Sequence, residues 1–318
     1  MNAVANHYGI DEYEAAIAFY THAIEDQPNI VESYWYLGLA WLLQGDEAAA
    51  QTVWITALSQ AAPDQSDQLT TDLADLLVAE ASWQRQYRRP DQVSRLYQQV
   101  LELQPEAADI QLALGNALAA QGDLLGALIP WQMATTLQPE WVAPHERQAE
   151  VLHKLGRLED AIACYSHALV LQPNRAELYQ ALGRCYVQQN QWAAAVAPFY
   201  QALQLQPRCA AAWGNLGYAQ LQLGNLETAI ASIQQAVQLQ PSLVEQYCKW
   251  VTQSTAQSSL QPNADFLQAL LSSDGDCYGE LGRLLSDRGH LNLAIATYQA
   301  AVTRQPNAAQ FQIELGQL

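Results

Sequence analysis

Lysine is nearly missing from this sequence: Lys154 and Lys249 are the only two in 318 residues. Neither stands in a glycine-rich phosphate loop, which excludes a P-loop nucleotide site. Charged residues of both signs make up only 14% of the chain. No apolar run reaches the roughly 18 residues that a membrane span requires, so no membrane insertion is expected. The opening residues, Met1 to His7, lack both a basic segment and an apolar one. That excludes a secretory signal there and gives the expectation of a cytoplasmic protein. Cysteine is sparse and odd in number (Cys164, Cys185, Cys209, Cys248 and Cys277), with no C-x-x-C pair. Neither a disulfide framework nor a zinc site is expected; the thiols read as reduced and packed.

Catalytic spacing is also lacking. No G-x-S-x-G, G-x-G-x-x-G or D-x-D-x-D-G pattern occurs. The nearest metal motif starts at His145-Glu146, but its second histidine would have to stand at Ala149. Asp274-Gly275-Asp276 is explained by an Asp-Gly turn before a helix. These residues are therefore expected to be no enzyme and to hold no metal and no cofactor. The net charge is −18, from 32 acidic and 14 basic residues. Such a surface repels phosphate backbones, so no nucleic-acid partner is expected.

What the chain does have is a period. Between Leu103 and Pro241 the tripeptide Leu-Gln-Pro occurs five times, and each of its prolines (Pro105, Pro139, Pro173, Pro207, Pro241) falls 34 residues after the one before. A fixed period of this size means stacked supersecondary units. With the proline as position 32, position 8 is Gly115, Ala149, Gly183 and Gly217. Positions 20 and 27 are alanine in all four units (Ala127 and Ala134 in the first), while position 24 is Trp131, Tyr165, Phe199 and Ile233. Small residues let two helices approach and the large one fills the remaining gap. Gly122, Gly156, Asn190 and Gly224 stand where a first helix must turn, and these residue types tolerate the left-handed conformation that ends a helix. Each unit is a helical hairpin with one apolar side that it cannot bury alone; stacking buries it.

This pattern resembles the tetratricopeptide repeat family. The resemblance implies an all-α fold, a right-handed superhelical α-solenoid of stacked helix-turn-helix repeats, read as one array over residues 1–318. A partial repeat is expected at 8–30, a full one at 31–63, and a degenerate one with an insertion at 64–107. Regular repeats follow at 108–141, 142–175, 176–209 and 210–243. A short irregular repeat spans 244–274, a consensus repeat 275–308, and 309–318 opens one more. That the sequence stops in mid-repeat suggests a piece of a longer protein. The degenerate unit carries Arg85, Arg88, Arg89 and Arg95 within eleven residues. These read either as a contact for an acidic partner or as an exposed turn with cations near a helix C-terminus.

In the resembling family, positions 2, 5, 6, 9, 12 and 13 of the first helix line a concave groove, and a helical wheel puts them on one stripe. The site residues expected on this ground are Trp35, Asn116, Arg147, Lys154, Arg184, Asn215, Tyr218, Lys249 and Arg283. Asp109, Leu112, His153 and Gln188 lie on the same stripe. Most other aromatics fall on positions 4, 11 and 24 and are expected in the core. Five of the 14 cations lie on the stripe. They suit an extended acidic or polar peptide, or they neutralise neighbouring acids such as Glu146 and Glu150. The expected function is a scaffold binding a protein or peptide, with self-association through array ends as a further expectation. The alternative is the substrate-recruiting, non-catalytic N-terminal part of a larger glycosyltransferase or methyltransferase.

Overall fold

Each of the five periodic Leu-Gln-Pro tripeptides marks the same event in the backbone. The second helix of a hairpin ends on its leucine, at Leu103, Leu137, Leu171, Leu205 and Leu239. The glutamine N–H then closes the last helical bond, as when Gln138 donates to the Ala134 carbonyl at 2.9 Å. The proline that follows has no N–H to continue the series.

The computed structural model describes residues 13–60, 62, 64–87, 89–240, 282, 283, 286, 291–304 and 309–318. Every regular element among them is a helix, which places the chain in the all-α class. No helix of the described residues is long and apolar enough to cross a membrane, and they hold no group of three or more potential metal ligands. The chain divides into two units, residues 1–148 and 149–318.

The first unit holds α1 (Tyr13–Asp26), α2 (Val31–Gln44), α3 (Glu47–Gln60), α4 (Ser66–Gln86), α5 (Pro90–Leu103), α6 (Ala108–Gln121), α7 (Leu124–Leu137) and the start of α8 (Val142–Lys154). From α1 to α7 each helix packs on the next. Within a hairpin the position-8 glycine receives the position-24 ring. A Cβ on Gly115 would lie 2.5 Å from Cδ1 of Trp131, and Trp131 is 1% exposed. The indole also finds an acceptor: Trp131 Nε1 donates to the Leu112 carbonyl at 3.3 Å, and Trp54 Nε1 donates to the Trp35 carbonyl at the same distance. A buried indole N–H would otherwise be left without a partner. The insertion in the degenerate unit becomes helix: α4 runs 21 residues, where α2 runs 14. Its Leu73, Ala74, Leu77 and Ala81 are buried in the core of this unit.

The second unit takes up the rest of α8, then α9 (Leu158–Leu171), α10 (Ala176–Gln188), α11 (Trp192–Leu205), α12 (Ala210–Gln222), α13 (Leu226–Leu239), α14 (Leu291–Arg304) and α15 (Ala309–Gln317). The same rule operates. Phe199 lies over Gly183, where a Cβ would be 2.7 Å from its ring. Phe199 is buried with Ala195, Leu203, Ala212, Leu216 and Ala219. The position-24 aromatics Trp54, Trp131, Tyr165, Phe199 and Tyr298 are buried and Tyr20, in the partial first repeat, is half-buried, as are Trp41, Tyr179, Tyr186 and Trp213 at positions 4 and 11.

First helices end as their sequences require. Gly122 has φ +92° and Asn190 φ +58°. Each is followed by an N–H that reaches back around the turn, Asp123 to the Leu118 carbonyl at 3.0 Å and Gln191 to Tyr186 at 2.9 Å. These bonds close the free carbonyls of the helix end. Asp123 then caps the next helix, accepting the Gly126 N–H at 2.8 Å.

Candidate functional site

In the first unit the stripe opens into a cavity of about 700 Å³. The concave-type positions of α6 form one wall: Asp109, Leu112, Ala113 and Asn116, with Ala117 and Ala120 beside them. Pro90, Val93 and Tyr97 come from α5, Arg85 from the end of α4, Arg89 from the turn after it, and Trp141 from just before α8. Most of this lining is apolar. Tyr97 reports the charges around it. Burial raises its hydroxyl above the ordinary tyrosine value, Arg85 opposes that rise, and Asp109 adds to it. Arg89 is half-buried and reaches the Tyr13 hydroxyl at 3.5 Å. Arg85 is exposed and has no ion pair among the described residues. The basic cluster of the degenerate unit thus divides. Arg85 and Arg89 face the cavity, whereas Arg95 lies beside the Gly45 turn, its Nη1 3.5 Å from where a Cβ would stand.

Of the expected site residues, Asn116 is in this cavity. Trp35 is not on an open groove wall: it is 5% exposed, and with Leu39, at 1%, it shares a buried cluster with Leu73 and Leu77 of α4. The stripe of α2 is packed because α4 lies against it. Arg147 is exposed on α8, in the first unit.

The other described positions belong to the second unit. Lys154 is exposed at the end of α8, and Arg184 is exposed on α10. Arg184 comes close enough to His153 to act on it. Burial and then the Arg184 charge hold the His153 imidazole below its ordinary value, against a hydrogen bond with Gln188 that works the other way. His153 Nε2 is buried without a hydrogen-bond partner. Three stripe residues, His153, Arg184 and Gln188, therefore form one cluster in which Arg184 carries the charge. Asn215 and Tyr218 are half-buried on α12, and Tyr218 meets Trp192 edge-to-face at 5.5 Å. Arg283 is exposed. Lys249 lies outside the described residues.

Among the described residues Cys164, Cys185 and Cys209 are thiols outside any disulfide. Burial pushes Cys185 up to about 11, against the opposing charge of Arg184. At neutral pH it is a packed thiol and not a nucleophile.

Sequence profiles of the tetratricopeptide repeat match residues 6–66, 79–139, 181–243 and 280–318, and a second profile of the same repeat matches residues 142–208. The chain belongs to the tetratricopeptide repeat family. Solved structures agree on the fold. A tetratricopeptide repeat protein from Parabacteroides merdae ATCC 43184 is similar at 16% identity over 76% of this chain and 97% of its own, with a TM-score of 0.53. A double mutant of MamA RS-1 is similar at 20% identity over 53% of this chain and 95% of its own, with a TM-score of 0.50. No curated protein matches the chain. The tetratricopeptide register found Asn116 but not Arg85, Arg89, Tyr97 or Trp141. The first two stand where the insertion breaks the register, and their clustering was the one signal in the sequence that marked them.

Proposed function

We propose that this tetratricopeptide array is a protein-interaction scaffold that holds partner segments on the concave-type stripe of its first helices. One observation carries the reading: the cavity of about 700 Å³ lies on that stripe, lined by Asp109, Leu112 and Asn116. Ligand sites are concave, mostly apolar and furnished with a few polar groups, which fits this lining. The partner is acidic. On a chain with 32 acids and 14 bases, the stripe holds Arg147, Lys154, Arg184, Lys249 and Arg283, and the cavity adds Arg85 and Arg89. An arginine fork matches a carboxylate.

The test is capture. Partners retained by the immobilised chain are identified by mass spectrometry. The capture is then repeated with Arg184→Glu/Lys249→Glu, whose helical circular-dichroism signal should match the parent. Loss of those partners is the expected result. If the same partners are retained, the acidic-ligand proposal is wrong.

A further inference from the structure

We propose that the cavity between α4, α5 and α6 is an anchor subsite that takes a large apolar side chain followed directly, in the partner, by one acidic residue. This deepens the scaffold reading and rests on it. The apolar half of the claim comes from the walls. Val93, Leu112, Ala113 and Ala117 expose no hydrogen-bonding side chain, and Tyr97 and Trp141 add two aromatic rings, so that Asn116 and the charged groups are a minority of the lining. A volume of about 700 Å³ is ample for a phenylalanine-sized group and part of the residue after it.

The acidic half comes from charge. Acids outnumber bases by 32 to 14, so an arginine on this surface has carboxylates to choose from. Arg157 takes Asp160 at 2.6 Å and Arg175 takes Glu177 at 3.7 Å. Arg85, exposed at the cavity, takes none among the described residues. Among the described residues no side chain takes its guanidinium donors, and they line a ligand-sized cavity. Asp109, in the same lining, sets the limit of one. A run of acidic residues would bring a second carboxylate against it, and like charges at close range disfavour the complex. The acidic half does not rest on the regular register of the repeat, since Arg85 belongs to the elongated α4.

The subsite is tested by calorimetry on the full chain with three short peptides. These are acetyl-Ala-Phe-Asp-Ala-amide, its Phe-Asn counterpart, and acetyl-Ala-Phe with a free terminal carboxylate. The Phe-Asp peptide is expected to bind at least about tenfold more tightly than the other two. Arg85→Gln should remove its advantage over Phe-Asn. Ala120→Trp, which fills the cavity from an exposed helix position, should weaken both; if that variant misfolds, Arg85→Gln decides alone. The proposal is overturned if Phe-Asp and Phe-Asn bind equally, or if only the free-carboxylate peptide binds. It is also overturned if the preference survives Arg85→Gln, or if Phe-Asp shows no binding up to about 1 mM. A chain that still captures its partners but ignores Phe-Asp refutes the anchor alone. A chain that does neither refutes the scaffold reading too.

Discussion

At the scale of single residues, glycine lies close under tryptophan in two hairpins of the first unit, Gly38 beneath Trp54 and Gly115 beneath Trp131. Trp131 covers Gly115 so closely that a Cβ would stand 2.5 Å from its Cδ1. Alanine is the better helix former by about 1 kcal/mol, but forcing a methyl into a packed site costs about 1–3 kcal/mol. Packing wins, so Gly115→Ala should lower stability by about 1 kcal/mol or more in urea unfolding. An unchanged or raised midpoint would show that the helices can part without cost. Glu80 is the other residue under tension. It is 6% exposed, and burial raises its carboxyl above the usual range despite a 2.7 Å hydrogen bond from Gln84 Nε2. Gln84 Oε1 is buried and lacks a donor. A protonated Glu80 supplies that donor, and so would a glutamine. The sign follows. With the folded pKa above the unfolded one, the native state binds the proton more tightly, and stability falls as pH rises between the two values. Glu80→Gln should therefore raise the melting temperature near pH 8. The gain should shrink to nothing once the pH is below the unfolded glutamate value of about 4.3. A gain that is constant with pH would mean that burial leaves the carboxyl unshifted.

At the scale of elements, the turns were legible because they need a backbone state that few residues accept. Gly122 and Asn190 both adopt it, at φ +92° and +58°. A side chain in this region costs about 1–2 kcal/mol. Gly122→Ala should accordingly lose about 1 kcal/mol, and Asn190→Gly should lose nothing, both read from denaturation midpoints at constant slope. Equal losses in both would mean that the turns are held by their neighbours and not by φ. Proline was a less reliable guide than glycine. The prolines of Leu-Gln-Pro end helices, but Pro130 and Pro198 stand inside α7 and α11. Both are buried beside the large residue that fills the hairpin, Trp131 or Phe199. Tertiary packing holds those helices together where local preference alone would break them. In the degenerate unit a first helix was legible over roughly Ser66 to Gln84, and α4 runs Ser66–Gln86; its packing was not legible. Its extra residues carry no repeat register, yet they place Leu73 and Leu77 against Trp35 and Leu39 and so take Trp35 out of the stripe.

At the scale of the whole molecule, the fold was readable because a period averages over many weak signals, while a site depends on single side chains. Periodicity located the hairpins and sent Trp131, Tyr165 and Phe199 to the core. It placed Asn116 on the stripe but could say nothing of Arg85, because a register has no value where it is interrupted. The hairpins also share a joint that no motif would reveal. Tyr34 donates its hydroxyl to the Pro28 carbonyl at 3.2 Å, and Trp213 donates its indole N–H to the Pro207 carbonyl at 2.9 Å. His145 Nε2 lies 3.1 Å from the Pro139 carbonyl. A carbonyl only accepts, so that nitrogen carries the hydrogen. Three chemically unlike residues thus do one task at one place. At these three joints the residue differs and the bond is the same. Losing the donor at this one position, as in Tyr34→Phe, would leave the Pro28 carbonyl unmet where one hairpin joins the next.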